Sequence, residues 1–136
     1  MTIFLDASAL VAIIAGEFEG DRLAKELDAD PDRLFSAVAR WETIVSLHRS
    51  HKYDWNVAQQ NMDELAAAKG LRLVPIGELE SQLALCAFSR YGKGNHPAAL
   101  NMGDCFAYAC AEANEARLVY KGNDFSQTEL NWTYRA

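Results

Sequence analysis

Four acidic residues stand at positions where an acid needs a reason. Asp6 ends the apolar run of "MTIFLDASAL", and an ionised carboxylate at the end of a buried strand is costly unless something pairs with it. Glu42, inside "SAVARWET", borders a helical apolar stripe, with Val38 four residues before it and Val45 three after. Asp104 opens "GDCFAYACAEA", which is otherwise nearly all apolar, and Asp124 lies four residues beyond Tyr120. Taken singly, each has a structural explanation. Asp6 or Ser8 can cap the helix that follows, Asp124 can serve a turn, and Asn101 with Asp104 three residues on has the form of a capping box. Glu42 can pair at a rim with Arg49 or a lysine. Taken together they suggest something else, because carboxylates gathered at one place repel and resist ionisation unless a cation sits among them. Mg²⁺ or Mn²⁺ suits such a set: it takes oxygen ligands, at roughly 2.0–2.1 Å for Mg²⁺, and keeps several waters as reagents.

Other chemistries lack their signatures. The sequence has no H-E-x-x-H and no Cys/His set for zinc, no G-x-x-x-x-G-K-[ST] loop, no G-x-G-x-x-G and no G-x-S-x-G elbow.

The elements that must position the acids follow from periodicity and punctuation. Thr2 to Leu5 reads as a strand, Ala7 to Ala15 as a buried helix stopped by Gly16, and Glu17 to Ala29 as a mixed-charge helix ending before Asp30-Pro31-Asp32. Arg33 to Ala37 is a second strand. In the helix "VARWETIVSLHRS", Val38, Trp41, Ile44, Val45 and His48 share one face, which places Trp41 in the core. A helix runs from the cap Asp54 to Gly70, "LRLVPI" is a strand closed by Pro75, and residues from about 77 to 90 are helical. "RYGKGNHP" is a loop, the segment around Asp104 a buried helix, "RLVYK" a fourth strand, "GNDFSQTE" a turn or short helical piece, and "NWTYRA" a final strand. Strands alternating with helices predict an α/β class chain, a three-layer α/β/α sandwich with a short, mainly parallel sheet of four to five strands. Ligands in such sheets bind beyond the carboxyl ends of the strands, and the map sends all four acids there.

Composition sets the outer bounds. The 136 residues fit one domain spanning the whole chain, with 50% hydrophobic and 24% charged residues. Cys86, Cys105 and Cys110 form an odd set without C-x-x-C spacing and read as buried, reduced thiols of a cytoplasmic protein. The apolar opening lacks a basic leader and carries Asp6, and no stretch approaches the ~20 apolar residues of a membrane span. A net charge of −6 argues against a nucleic-acid partner, unless several of the carboxylates are occupied by cations.

"FLDASAL", Glu42 within "SAVARWET", "HPAALNMGDCFAYA" and then "KGNDF" followed by "TEL" resemble, in order and over essentially the full length, the PIN-domain ribonucleases, and specifically the VapC-type toxins of toxin–antitoxin pairs. The resemblance implies an α/β/α sandwich in which Asp6, Glu42, Asp104 and Asp124 are both catalytic and the ligands of Mg²⁺ or Mn²⁺. It implies hydrolysis of an RNA phosphodiester by in-line attack of a metal-activated water, leaving a 5′-phosphate and a 3′-hydroxyl. Glu42 is then the candidate to orient or deprotonate the nucleophile. Ser8 matches the hydroxyl residue beside the first acid and would bond to a metal water or a neighbouring carboxylate, Asn101 precedes the Gly-Asp pair with a capping role favoured, and Glu129 stands where the family often has aspartate. Substrate phosphates need cations: Arg90, Lys93 and His96 form one basic cluster, and Arg49, His51 and Lys52 a second. The expected partners are the RNA substrate, a VapB-type antitoxin lying over the acids, and a second copy of the chain in a homodimer, in the cytoplasm and away from membranes. Two rivals share parts of the pattern. A phosphatase of haloacid dehalogenase type would need an aspartate at position 8, and a receiver-like metal-binding module would need an acidic pair at the end of the first strand and a lysine after a late strand, of which Lys121 alone fits loosely.

Overall fold

The computed structural model describes residues 1–122 and 125–127. The chain starts with strand β1 (Thr2–Leu5), then helices α1 (Ala7–Ala15) and α2 (Gly20–Ala29), strand β2 (Asp32–Phe35), and helices α3 (Ala37–His51) and α4 (Trp55–Lys69). Strand β3 (Arg72–Leu73), helices α5 (Glu78–Tyr91) and α6 (Met102–Ala113), strand β4 (Arg117–Val119) and a 3-10 turn at Phe125–Gln127 complete it. The four described strands form one sheet in the order β3-β2-β1-β4, and every pairing is parallel. Asp124, Glu129 and the strand expected at "NWTYRA" lie outside the described residues.

The strand alternation divides the core into two layers. Ile3, Leu5, Phe35 and Val119 face α1 and α3 with the Leu23 and Leu27 side chains of α2, while Phe4, Leu34 and Leu118 face α5 and α6. The result is the three-layer sandwich that the alternation of strands and helices requires. Left-handed glycines stop two helices where the sequence places them: Gly16 after α1 at φ 68° and Gly70 after α4 at φ 62°.

Five expectations change. Strand β2 ends at Phe35 rather than Ala37, because Ser36 caps α3, its side chain accepting from the Ala39 N–H. Helix α2 starts at Gly20 rather than Glu17, because 17–19 form a turn after the Gly16 cap, with Gly20 N–H donating to Glu17 O at 2.8 Å. A Cβ at Gly20 would strike the Ala12 carbonyl, so a bare residue lets α2 close on α1. Strand β3 is only two residues long; Val74 N–H still donates to Phe35 O at 2.9 Å, but Pro75 has no N–H to continue the ladder. The buried face of α3 consists of Ala39, Thr43, Ile44 and Leu47, and Trp41 is 61% exposed rather than packed in the core. Of the expected stripe only Ile44 is buried, since the small Ala39 and Thr43 let the helix approach its neighbours and the Thr43 hydroxyl is satisfied by Ala39 O at 2.7 Å. Finally, Cys86 is exposed on α5, while Cys105 and Cys110 are buried free thiols pushed by burial up to about 11 and about 12. No helix among the described residues is long and apolar enough to cross a membrane.

Candidate acidic site

Beyond the carboxyl ends of β1 and β4 lies an open cleft of about 370 Å³, and Asp6, Glu42 and Asp104 all line it. Each arrives by a different route. Asp6 follows β1 directly and is the N-cap of α1: its Oδ2 accepts from the Ser8 N–H at 3.0 Å and from Ser8 Oγ at 2.6 Å. Only 5% of it is exposed. Asp104 closes a reciprocal capping box at the start of α6, accepting from Asn101 N–H at 3.0 Å while its own N–H donates to Asn101 Oδ1 at 2.9 Å. Capping and cleft lining are therefore not alternatives for these two aspartates, because a cap places its carboxylate at the positive end of a helix that here opens onto the cleft.

Glu42 has no cap to serve. It projects from the second turn of α3, and a Cβ on Gly103 would collide with its carboxylate, so the glycine before Asp104 is what admits it. Burial, reinforced by the charges of Asp6 and then Asp104, pushes the Glu42 carboxyl up to about 7. Those two aspartates are thus close enough to act on it through space.

Ser8 Oγ donates to the Asp6 carboxylate and also accepts from Lys121 N–H at 2.9 Å. Asn101 acts as the cap. The basic cluster of Arg90, Lys93 and His96 does not line the cleft: Arg90 is still in α5, not in the loop expected at "RYGKGNHP", and lies 5.3 Å from the centre of the Tyr91 ring, while His96 Nδ1 accepts from the Ala98 N–H at 3.0 Å. In the second cluster, His51 Nε2 meets Glu17 Oε2 at 2.7 Å, Lys52 Nζ donates to Arg49 O at 3.1 Å.

Three cleft residues escaped sequence reasoning. Ser46 had a signal, standing one helical turn after Glu42 on the same face. Glu17 had none, and Lys121 is marked only by its place after the fourth strand, since their 2.6 Å ion pair joins residues at opposite ends of the chain. That ammonium, with His51, holds the Glu17 carboxyl below its ordinary range.

Among the described residues no three His, Cys, Asp or Glu side chains already form a ready-made cation site. The chemistry of the donor set nevertheless suits a hard divalent ion. It is all oxygen, and its raised Glu42 carboxyl records negative charge that such an ion would relieve.

Comparison with known proteins places the chain in a family. The PIN domain family model matches residues 3–130. A VapC ribonuclease of Rhizobium meliloti is 41% identical over 93% of this chain and 98% of its own length. Ribonuclease VapC30 of Mycobacterium tuberculosis is 32% identical over 93% of this chain and 94% of its own. The crystal structure of Mycobacterium tuberculosis VapC20, described as a sarcin-ricin loop cleaving toxin, superposes with a TM-score of 0.71 at 22% identity, covering 92% of this chain and 93% of that one. On the length of the family match and the identity to these relatives, the chain belongs to the PIN-domain family, among its VapC-type members.

Proposed function

We propose that this protein is a metal-dependent endoribonuclease toxin that hydrolyses RNA phosphodiester bonds and is restrained by a VapB-type antitoxin. The observation that carries the reading is the meeting of Asp6, Glu42 and Asp104 in one cleft, in a chain 41% identical to a VapC ribonuclease. Asp6 and Asp104 would hold Mg²⁺ or Mn²⁺, with Asp124 as a further ligand by its match to the family pattern. When bound, the ion supplies Lewis-acid stabilisation of the phosphate and a water more easily deprotonated. The side chains divide the remaining work. Ser8 fixes the Asp6 carboxylate, Asn101 fixes Asp104 through the capping box, and Gly103 leaves room for Glu42 to orient the attacking water or take its proton.

A toxin of this kind acts in the cytoplasm, pairs as a homodimer, and is silenced by an antitoxin segment that places an Arg or Lys among the acids, where its charge replaces that of the metal. The phosphatase rival finds no support in the cleft: position 8 is a serine whose hydroxyl is engaged with Asp6, and no second aspartate stands there to act as acid and base. Labelled RNA, a phosphatase substrate and acetyl phosphate, each with Mn²⁺ and with EDTA, decide between the readings. The proposal expects cleavage of RNA only, abolished by EDTA; turnover of the phosphatase substrate, or RNA cleavage indifferent to EDTA, would defeat it.

A further inference from the structure

The cleft is lined by four acids, Asp6, Glu17, Glu42 and Asp104, and among the described residues that line it there is one cation, Lys121. Two features set this lysine apart from a solvated surface residue. Its backbone N–H donates to Ser8 Oγ, which in turn donates to Asp6 Oδ2, so its main chain is anchored two hydrogen bonds from the first acid. Its ammonium is drawn aside, 2.6 Å from Glu17 Oε1, while the other oxygen of Glu17 contacts His51 Nε2 at 2.7 Å. A lysine is a point charge on a flexible four-carbon stem, able to exchange one oxyanion for another while its backbone stays in place. A polyanion entering a cleft of four carboxylates meets repulsion that a cation must offset.

We infer that Lys121 positions the substrate: its ammonium leaves Glu17 and takes a phosphate oxygen of the RNA beside the scissile bond. Glu17, braced by His51, holds the ammonium in reserve until RNA arrives. The inference rests on the ribonuclease reading and names the group in that cleft that receives the substrate's charge. Glu17 is then a competitor for the lysine, not a ligand, and its negative charge opposes RNA. The two partners of one ion pair therefore have opposite effects on substrate affinity. A purely structural clamp, tying the turn after α1 to the end of β4, predicts the same effect from losing either partner.

The experiment measures KM and kcat for a labelled random-sequence RNA pool, using antitoxin-free protein in Mn²⁺, with thermal melts of every variant. Lys121→Ala should raise KM about tenfold, as expected for loss of a charge-assisted contact, and change kcat by less than about twofold. Lys121→Arg should recover most of that loss, and Glu17→Gln should lower KM below that of the wild type. Equal increases in KM from Lys121→Ala and Glu17→Gln, or no change from either, would overturn the role of the lysine while leaving the ribonuclease reading intact. Absence of RNA cleavage by the wild-type protein itself would overturn both.

Discussion

The two edges of the sheet both gather acids, and they treat them in opposite ways. At the edge where the strands begin, Arg117 donates to Glu26 at 2.9 Å and to Asp30 at 3.2 Å, Arg72 bonds to Asp32 at 3.1 Å, and Lys69 to Asp28 at 3.0 Å. The Arg72 guanidinium and the Thr2 hydroxyl hold the Asp32 carboxyl below its ordinary range. At the edge where the strands end, Asp6, Glu42 and Asp104 share a cleft whose described cation is already engaged with Glu17, and Glu42 is raised to about 7. Acids of one type, on one sheet, are thus stabilised as anions at one end and crowded at the other. Paired charge belongs to the scaffold, whereas crowded charge shifts the titration of its members, as Glu42 shows.

That contrast predicts where substitutions act. The largest effect should come from Asp104→Asn, which keeps a capping side chain but removes a cleft charge: RNA cleavage falls by roughly 100-fold or more while the melting curve stays near that of the wild type. Full activity in this variant would undo the assignment of the site. Gly103→Ala comes next. Its methyl group must displace the Glu42 carboxylate, so we expect a stability loss of about 1–3 kcal/mol in urea titrations together with a large loss of cleavage.

Glu42→Gln sharpens the contrast through pH. The folded protein holds the Glu42 proton to about 7, against an ordinary 4.5, so it binds more protons than the unfolded chain between those values. The stability of metal-free protein should therefore fall as pH rises through that window, by on the order of 2 kcal/mol after allowance for partial solvation. Glu42→Gln should abolish that slope and raise the melting temperature at pH above about 7, while eliminating cleavage. A variant that melts like the wild type at both ends of the window would refute the crowding of these acids.

The smallest effect belongs to the opposite edge. Arg117→Ala should cost about 1 kcal/mol of stability, measured in urea, and leave kcat for RNA unchanged, because its partners Glu26 and Asp30 serve only the scaffold. A loss of activity larger than the loss of stability would break the division between the two edges.

Sequence reading reached the acids more easily than the faces of the helices. Asp6 is legible because an ion interrupts an apolar strand, and Asp104 because it opens a helix that is otherwise nearly all apolar. Trp41 was misplaced because a periodic stripe weighs large side chains most heavily, whereas α3 buries its small ones, Ala39 and Thr43. The clustering of Arg90, Lys93 and His96 along the chain is visible in the sequence, whereas the pairing of Lys121 with Glu17 across it is not.

By itself the sequence determined the order of strands and helices, the stops at Gly16 and Gly70, and the identity of three acids that line the cleft, because periodicity, caps and misplaced charge are local properties. Only the tertiary structure decided which face of α3 turns inward, that Gly103 makes room for Glu42, and that Glu17 joins Lys121 across most of the chain. Those outcomes depend on the approach of segments distant in sequence, where packing distance and the sum of nearby charges, rather than local preference, set the energy.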